Sequence, residues 1–234
     1  MTDESRWTAT FDSLFERGRA AVLAGSHHRD SPPVNGGRWG LSVVLRPDGA
    51  SEARMAAIAD EALRVAGPAH WPTGAPEAVH LTVRAIEAHR SPLPAGDPLV
   101  ARSGAALARA ARDLPPIGFA LRGLTLTPSG VMTCAYPVDP TADEFASRLG
   151  DELGDDDWFE ADFNRNIWYA TLVHFAGPVA DPTALVEWVA ARRQLSLGTV
   201  EVTAAELVRF HFNGRQPVRV ALAACRLGQP ARDV

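Results

Sequence analysis

Between Trp7 and Ala24, Phe11, Leu14, Phe15 and Ala20 to Leu23 recur at helical spacing among Asp12, Glu16, Arg17 and Arg19, which predicts an amphipathic N-terminal helix. A loop rich in Pro and Gly, Gly25 to Gly37, leads into a strand at Trp39 to Leu45. The next helix presents Met55, Ile58, Ala59, Ala62, Leu63 and Ala66 on one face, with Ser51 as its expected N-cap. Strict alternation then marks Val79 to Ile86 as a strand. Leu81, Val83 and Ala85 point to one side, and His80, Thr82 and Arg84 to the other. An Ala-rich helix, Leu99 to Arg112, stops before Pro115 and Pro116. Phe119 to Leu126 and Val131 to Val138 follow as a hairpin around Thr127-Pro128-Ser129-Gly130.

In the second half, Thr141 and Glu144 have the spacing of a capping box opening a helix with Phe145, Leu149 and Leu153 inward. The acidic run Asp151 to Asp162 reads as a solvated turn. A strand at Ile167 to Phe175 precedes a helix that starts at Asp181-Pro182 and buries Leu185, Trp188 and Val189. Strands at Leu207 to Phe212 and Val218 to Leu222 close the chain. Helices and strands thus alternate in two similar halves with hairpin strands added. The expected fold class is α+β, with two pseudosymmetric lobes of antiparallel strands and outer helices around a central cleft. The expected division is an N-terminal helix and loop over 1–37, then one two-lobed domain over 38–234, its lobes roughly 38–114 and 115–234 with strands open to exchange.

The 234 residues are 22% charged with a net charge of −5, and all 23 basic residues are Arg. With no lysine, a Walker phosphate loop, a kinase phosphate lysine and Schiff-base catalysis are excluded. Cys134 and Cys225 stand alone in apolar runs, which supports neither a disulfide framework nor a zinc site. The adjacent His27 and His28 lack further ligands and read as solvated loop. No metal and no cofactor are expected, since Gly-x-Gly-x-x-Gly, Gly-x-Ser-x-Gly and His-Glu-x-x-His patterns are all missing. A polar start at Met1 to Thr8 and no apolar run approaching about 18 residues give a cytoplasmic expectation without membrane partners. Mild acidity without a basic stripe argues against long duplex nucleic acid and leaves a small-molecule or nucleotide substrate.

The even face of the Val79 to Ile86 strand carries the candidate chemistry. His80 supplies a proton-transfer group, Thr82 a hydroxyl donor and Arg84 a forked cation for an anion. The equivalent strand of the second half, Trp168-Tyr169-Ala170-Thr171-Leu172-Val173-His174-Phe175, repeats the x-x-Thr-hydrophobic pattern. On these residues the chain resembles the two-histidine (2H) phosphoesterase superfamily, which includes RNA 2′,3′-cyclic phosphodiesterases and the so-called 2′-5′ RNA ligases. The shared feature is two His-x-Thr-hydrophobic motifs on central strands, and the likeness spans roughly Arg38 to Arg226 in element order. His80-Leu81-Thr82-Val83 matches the first motif, whereas Tyr169 stands where the second histidine is expected.

The resemblance implies His80 as acid or base, Thr82 and Thr171 as donors to phosphate oxygens, and Tyr169 as a hydrogen-bond donor. A phenol is a poor base at neutral pH, so Tyr169 cannot simply take over both duties of a histidine. His174, five residues after Tyr169, is expected on the opposite face of the strand. Arg84 and Arg165 share parity with the motif residues and are candidate anion clamps. Trp168, Trp39, Phe210 and His211 are candidate stacking residues or core, and Trp71 a candidate for the cleft rim. The leading reading is a metal-independent phosphodiesterase-like hydrolase of a small cyclic phosphate or RNA end, using His80 with Tyr169. The alternatives are acid/base chemistry on a non-phosphate metabolite in the same cleft, such as a cyclisation, isomerisation or hydrolysis, and an inactive nucleotide- or anion-binding module.

Overall fold

The computed structural model describes residues 3–160 and 165–228. In chain order these form α1 (Asp3–Leu23), β1 (Ser42–Leu45), α2 (Gly49–Ala66), β2 (Leu81–Ala85), α3 (Pro98–Ala110), β3 (Ile117–Thr127), β4 (Gly130–Pro137) and α4 (Thr141–Leu153). A 3₁₀ turn (Gly154–Glu160), β5 (Trp168–His174), α5 (Pro182–Ala190), β6 (Ser196–Val202), β7 (Ala204–Phe212) and β8 (Pro217–Arg226) follow. All eight strands belong to one antiparallel sheet in the order β6-β3-β4-β5-β2-β1-β7-β8. The terminal hairpin β7–β8 crosses back to pair with β1, Val43 opposite Leu207, so the halves of the sheet are not the halves of the sequence.

One face of the sheet packs on helices. Leu81, Ala170, Leu172, Phe119 and Leu121 meet Ala62 and Ala66 of α2, Leu107 of α3, Phe145 and Leu149 of α4, and Leu185 and Val189 of α5 in one core. The small residues of α2 bring it close to the chain before β2, where Gly74 faces Ala59. Helix starts differ from the sequence expectation where a nearby carboxylate competes. Asp48, not Ser51, caps α2 by accepting from the Ser51 N–H at 2.8 Å and its hydroxyl at 2.9 Å. The Thr141 capping box does not form, because Asp139 takes the Thr141 N–H instead.

Three further expectations are corrected. The acidic stretch is the end of α4 and a 3₁₀ turn rather than a solvated loop, and its carboxylates pair with arginines: Asp156 with Arg102, Asp157 with Arg84 and Glu152 with Arg109. Asp162, at its expected end, lies outside the described residues. His27 is buried and bonded to the Gly177 carbonyl at 2.9 Å, while the loop around it pairs His28 N–H with Pro128 and Asp30 N–H with Phe175. The edge strand β6 is an addition. Its burial alternates imperfectly around Gly198, whose φ of 84° breaks the period-2 signal.

The other face of the sheet is a concave surface, and α1 lies across part of it. On β4 the residues Met132, Cys134 and Tyr136 oppose Thr171, Tyr169 and Ala120, so they share one face. Phe11 and Trp7 pack edge-on to the Tyr136 ring at 5.6 and 6.4 Å, and the Thr125 hydroxyl donates to the Phe11 carbonyl at 3.0 Å. Ion pairs from Glu4 to Arg122 and Asp12 to Arg193 fasten the rim. Among the described residues no helix is long and apolar enough to cross a membrane.

Gly18 is the contact point between α1 and the sheet. A Cβ there would lie 2.5 Å from the Leu126 carbonyl group. Gly to Ala inside a helix ordinarily stabilises by about 1 kcal/mol. Gly18→Ala is expected to do the reverse, lowering stability by about 1–3 kcal/mol as α1 is forced off β3. The urea midpoint measures it, and a rise in that midpoint would contradict the docking.

Candidate active site

The seam of the sheet is the pair Leu81↔Ala170 between β2 and β5. In a regular antiparallel ladder this register sets His80 across from Thr171 and Thr82 across from Tyr169. Leu81 and Ala170 point into the helix-side core. Their four flanking neighbours therefore point to the concave face, where all four line one cavity of about 790 Å³. Among the described residues, neither the Thr82 nor the Thr171 hydroxyl has a hydrogen-bond partner.

Beyond the seam each strand carries a bulge. On β2 the pairing steps from Val44↔Thr82 to Val43↔Arg84, leaving Val83 as the extra residue. On β5 it steps from Met132↔Thr171 to Val131↔Val173, leaving Leu172 extra. One inserted residue reverses the alternation beyond it. His80, Thr82 and then Ala85 consequently line the cavity, and on the other strand Tyr169, Thr171 and then His174 do so.

This geometry corrects two readings of the sequence. His174 lies on the cavity face, not the helix face. Arg84 is turned away from the cavity and pairs with Asp157 at 3.1 Å, close to Gly150 of α4. Burial pushes the Asp157 carboxyl up in pKa, with Arg84 opposing. Trp168 also belongs to the core: it is buried, its ring lies 5.4 Å from Phe119, and its indole N–H donates to Asp143 at 2.8 Å. The aromatic surface of the cavity comes instead from Trp39 and Phe210, 5.4 Å apart. Trp71 is buried beneath Trp39 instead of standing at the rim, and His211 is exposed on the other side of β7 from Phe210. Trp39 holds a positive φ of 71°, and its buried indole N–H has no partner among the described residues. An aromatic residue in that backbone region is strained, a cost more often met at functional sites than elsewhere.

His80 is oriented from behind. Its Nδ1–H donates to the Ala78 carbonyl at 2.7 Å, which leaves the Nε2 lone pair as the free basic position. Burial lowers its pKa to about 4, with the Ala78 bond opposing and the charges of Arg219 and Arg165 adding to the drop. The imidazole is therefore neutral at pH 7. Arg165 lies on the cavity wall, its guanidinium forked on Glu160 and close to the Tyr169 hydroxyl. Glu160 is fixed in turn by the Ala85 N–H at 3.0 Å. The Tyr169 hydroxyl thus stands beside a cation on the cavity wall, as a donor open to a ligand. Sequence reasoning alone had no signal for Glu160, because a lone acid in an acidic run is unremarkable until the fold places it behind Arg165. Among the described residues no three His, Cys, Asp or Glu side chains gather as metal ligands would.

The His80 shift sets a pH dependence of stability. Its pKa falls from the ordinary 6.5 to about 4 on folding, so the unfolded chain binds the extra proton between those values. That contribution is complete above about pH 6.5 and is lost as pH falls toward 4; His174 and His70 shift in the same direction. The urea midpoint is expected to fall between pH 7 and pH 5, and to fall less in His80→Gln. Equal slopes for the two proteins would contradict the assignment.

No family model matches this chain, and no curated protein matches it in sequence. Solved structures match in shape. TT0787 of Thermus thermophilus is 20% identical with a TM-score of 0.55, over 80% of this chain and 97% of that chain. LigT of E. coli complexed with 3′-AMP is 13% identical with a TM-score of 0.58, over 82% of this chain and 99% of that one. A phosphoesterase is 17% identical with a TM-score of 0.51, over 82% of this chain and 99% of its own. At these identities the likeness establishes the architecture: an eight-stranded antiparallel sheet backed by helices, the α+β fold of LigT.

Proposed function

We propose that the cavity hydrolyses a small phosphodiester, a 2′,3′-cyclic phosphate on a nucleoside or an RNA end, by acid/base chemistry on the groups of the β2–β5 seam. The observation that carries this reading is the register Leu81↔Ala170, which gathers His80, Thr82, Tyr169 and Thr171 at one wall of the cavity. The likeness of fold to LigT and to a phosphoesterase supports it. Neutral His80 takes the proton of an attacking water at Nε2. The two threonine hydroxyls and the Tyr169 hydroxyl donate to the phosphoryl oxygens, where negative charge grows in the transition state.

One observation favours a second reading. The cavity's arginines are compensated, Arg165 by Glu160 and Arg38 by Asp30 at 2.7 Å, so the site is closer to neutral than a dedicated phosphate pocket. A polar substrate without phosphorus, transformed with the same His80 base and Tyr169 donor, fits such a cavity.

The deciding experiment is hydrolysis of 2′,3′-cyclic nucleotides and cyclic-phosphate-ended oligoribonucleotides in EDTA by wild type, His80→Ala, Tyr169→Phe and Tyr169→His. Turnover by wild type is expected, with His80→Ala slower by about 10²–10⁴. Tyr169→Phe, which loses one bond to a charged group, is expected to be slower by roughly 10–100-fold. An inert wild type beside an active Tyr169→His would discard the phosphodiester reading in favour of the second.

A further inference from the structure

The seam provides a base and three hydroxyls but no proton for the leaving oxygen, since neutral His80 receives a proton and the Tyr169 hydroxyl is committed to a charged oxygen. The cavity holds one more titratable ring. The Leu172 bulge returns His174 to the cavity face, at the place that Ala85 fills beyond the matching Val83 bulge on β2. The two bulged strands are alike in course and differ here by an imidazole.

His174 is oriented much as His80 is. Its Nδ1 lies 2.8 Å from the Thr73 hydroxyl, and that hydroxyl reaches the Thr171 carbonyl at 3.4 Å. A hydroxyl that donates to a carbonyl accepts from the ring, so Nδ1 carries the hydrogen and Nε2 is the exchangeable position. Both rings are joined through one aromatic group, Trp39 lying 4.8 Å from His174 and 5.4 Å from Phe210, and Phe210 lying 5.2 Å from His80. The titratable and charged groups facing His174 are Arg38 and His28 of the loop before β1, both turned on the Asp30 carboxylate, and the neutral His80 on β2. Burial, reinforced by Arg38, holds His174 well below its ordinary pKa, hence neutral. The negative charge of an anionic ligand beside the ring favours the imidazolium and draws a proton in.

We propose that His174, not Tyr169, is the second proton-transfer group of this cavity, acting with His80 on the same bound ester. This rests on the phosphodiester reading. His174 is protonated at Nε2 as the ester's charge enters. As the water oxygen bonds to phosphorus, His80 Nε2 takes a proton from that water. As the bond from phosphorus to the ribose oxygen breaks, His174 gives its proton to that oxygen. Exchange with solvent returns both rings to their starting state, and the net change is consumption of one water.

The test is the pH–rate profile on a 2′,3′-cyclic mononucleotide for wild type, His174→Phe, His174→Gln and Tyr169→Phe. Wild type is expected to show a bell, its alkaline limb set by His174. His174→Phe, which keeps a ring under Trp39, is expected to lose at least about 100-fold in kcat with KM changed only a few-fold, and to lose the alkaline limb. Tyr169→Phe keeps that limb. A kcat for His174→Phe within a few-fold of wild type, or an intact alkaline limb, overturns the proposal. Imidazole NMR of folded wild type with inorganic phosphate covers the case where the variants fail to fold or wild type hydrolyses no cyclic phosphate. A raised His174 titration on phosphate addition supports proton uptake by this ring, whereas an unmoved one refutes it. Absence of turnover by itself strikes the phosphodiester reading, while the NMR outcome decides the role of His174.

Discussion

The architecture of the cavity hangs on a contact one residue pair long. Leu81 and Ala170 join β2 to β5, and through them the four strands on either side become one sheet. Both side chains are completely buried against the helices, so the seam is held from behind by apolar packing rather than by an extended ladder. That leaves the front free for polar groups. The residues before and after each seam residue face the concave surface, and antiparallel pairing makes them a two-by-two array with approximate twofold symmetry. A one-residue slip at this pair would exchange the array for Leu81 and Ala170 themselves and bury the polar groups in the core.

The array was legible in the sequence because alternation is a period-2 signal, and His80, Thr82, Tyr169 and Thr171 obey it. The residues beyond it were misread for a single reason. A bulge adds one residue without altering composition, and Val83 and Leu172 are ordinary strand formers that carry no mark of being the extra one. Extending the alternation past them places Arg84 in the cavity and His174 in the core, the reverse of what the fold does. Trp168 fell on the core side of its strand by the same parity that put Tyr169 in the cavity, which decides for core between the two roles its chemistry allowed. The cap Asp48 and the bond of Asp139 to the first residue of α4 were missed for a different reason: several capable side chains stand within a few residues, and only the path of the chain selects among them.

The absence of lysine shapes the electrostatics as well as the chemistry. Each arginine near the cavity is held by a carboxylate: Arg165 by Glu160, Arg38 by Asp30, and the buried Arg219 by Glu206 at 2.9 Å and Glu52 at 3.6 Å. These pairs cancel long-range field while leaving the hydroxyls of Thr82, Thr171 and Tyr169 as local donors on the cavity wall. The result is a cavity whose histidines are kept neutral chiefly by burial and whose cations are already paired, while its threonine hydroxyls are not. Discrimination in such a site depends on the positions of donors, since net charge offers little.

Helix α1 is made before the strands it packs on and is among the last elements able to find its place. The Thr125 hydroxyl that holds the Phe11 carbonyl lies 114 residues away in sequence, and the Tyr136 ring against Phe11 and Trp7 comes later still. Such long-range closure is slow compared with helix formation, so during synthesis α1 must wait with Phe11 uncovered until β3 and β4 have paired. Leu14 of the same helix lines the cavity. The wall of the cavity is therefore finished only when α1 docks on the β3–β4 hairpin, which ties the appearance of a complete cavity to a late event in folding.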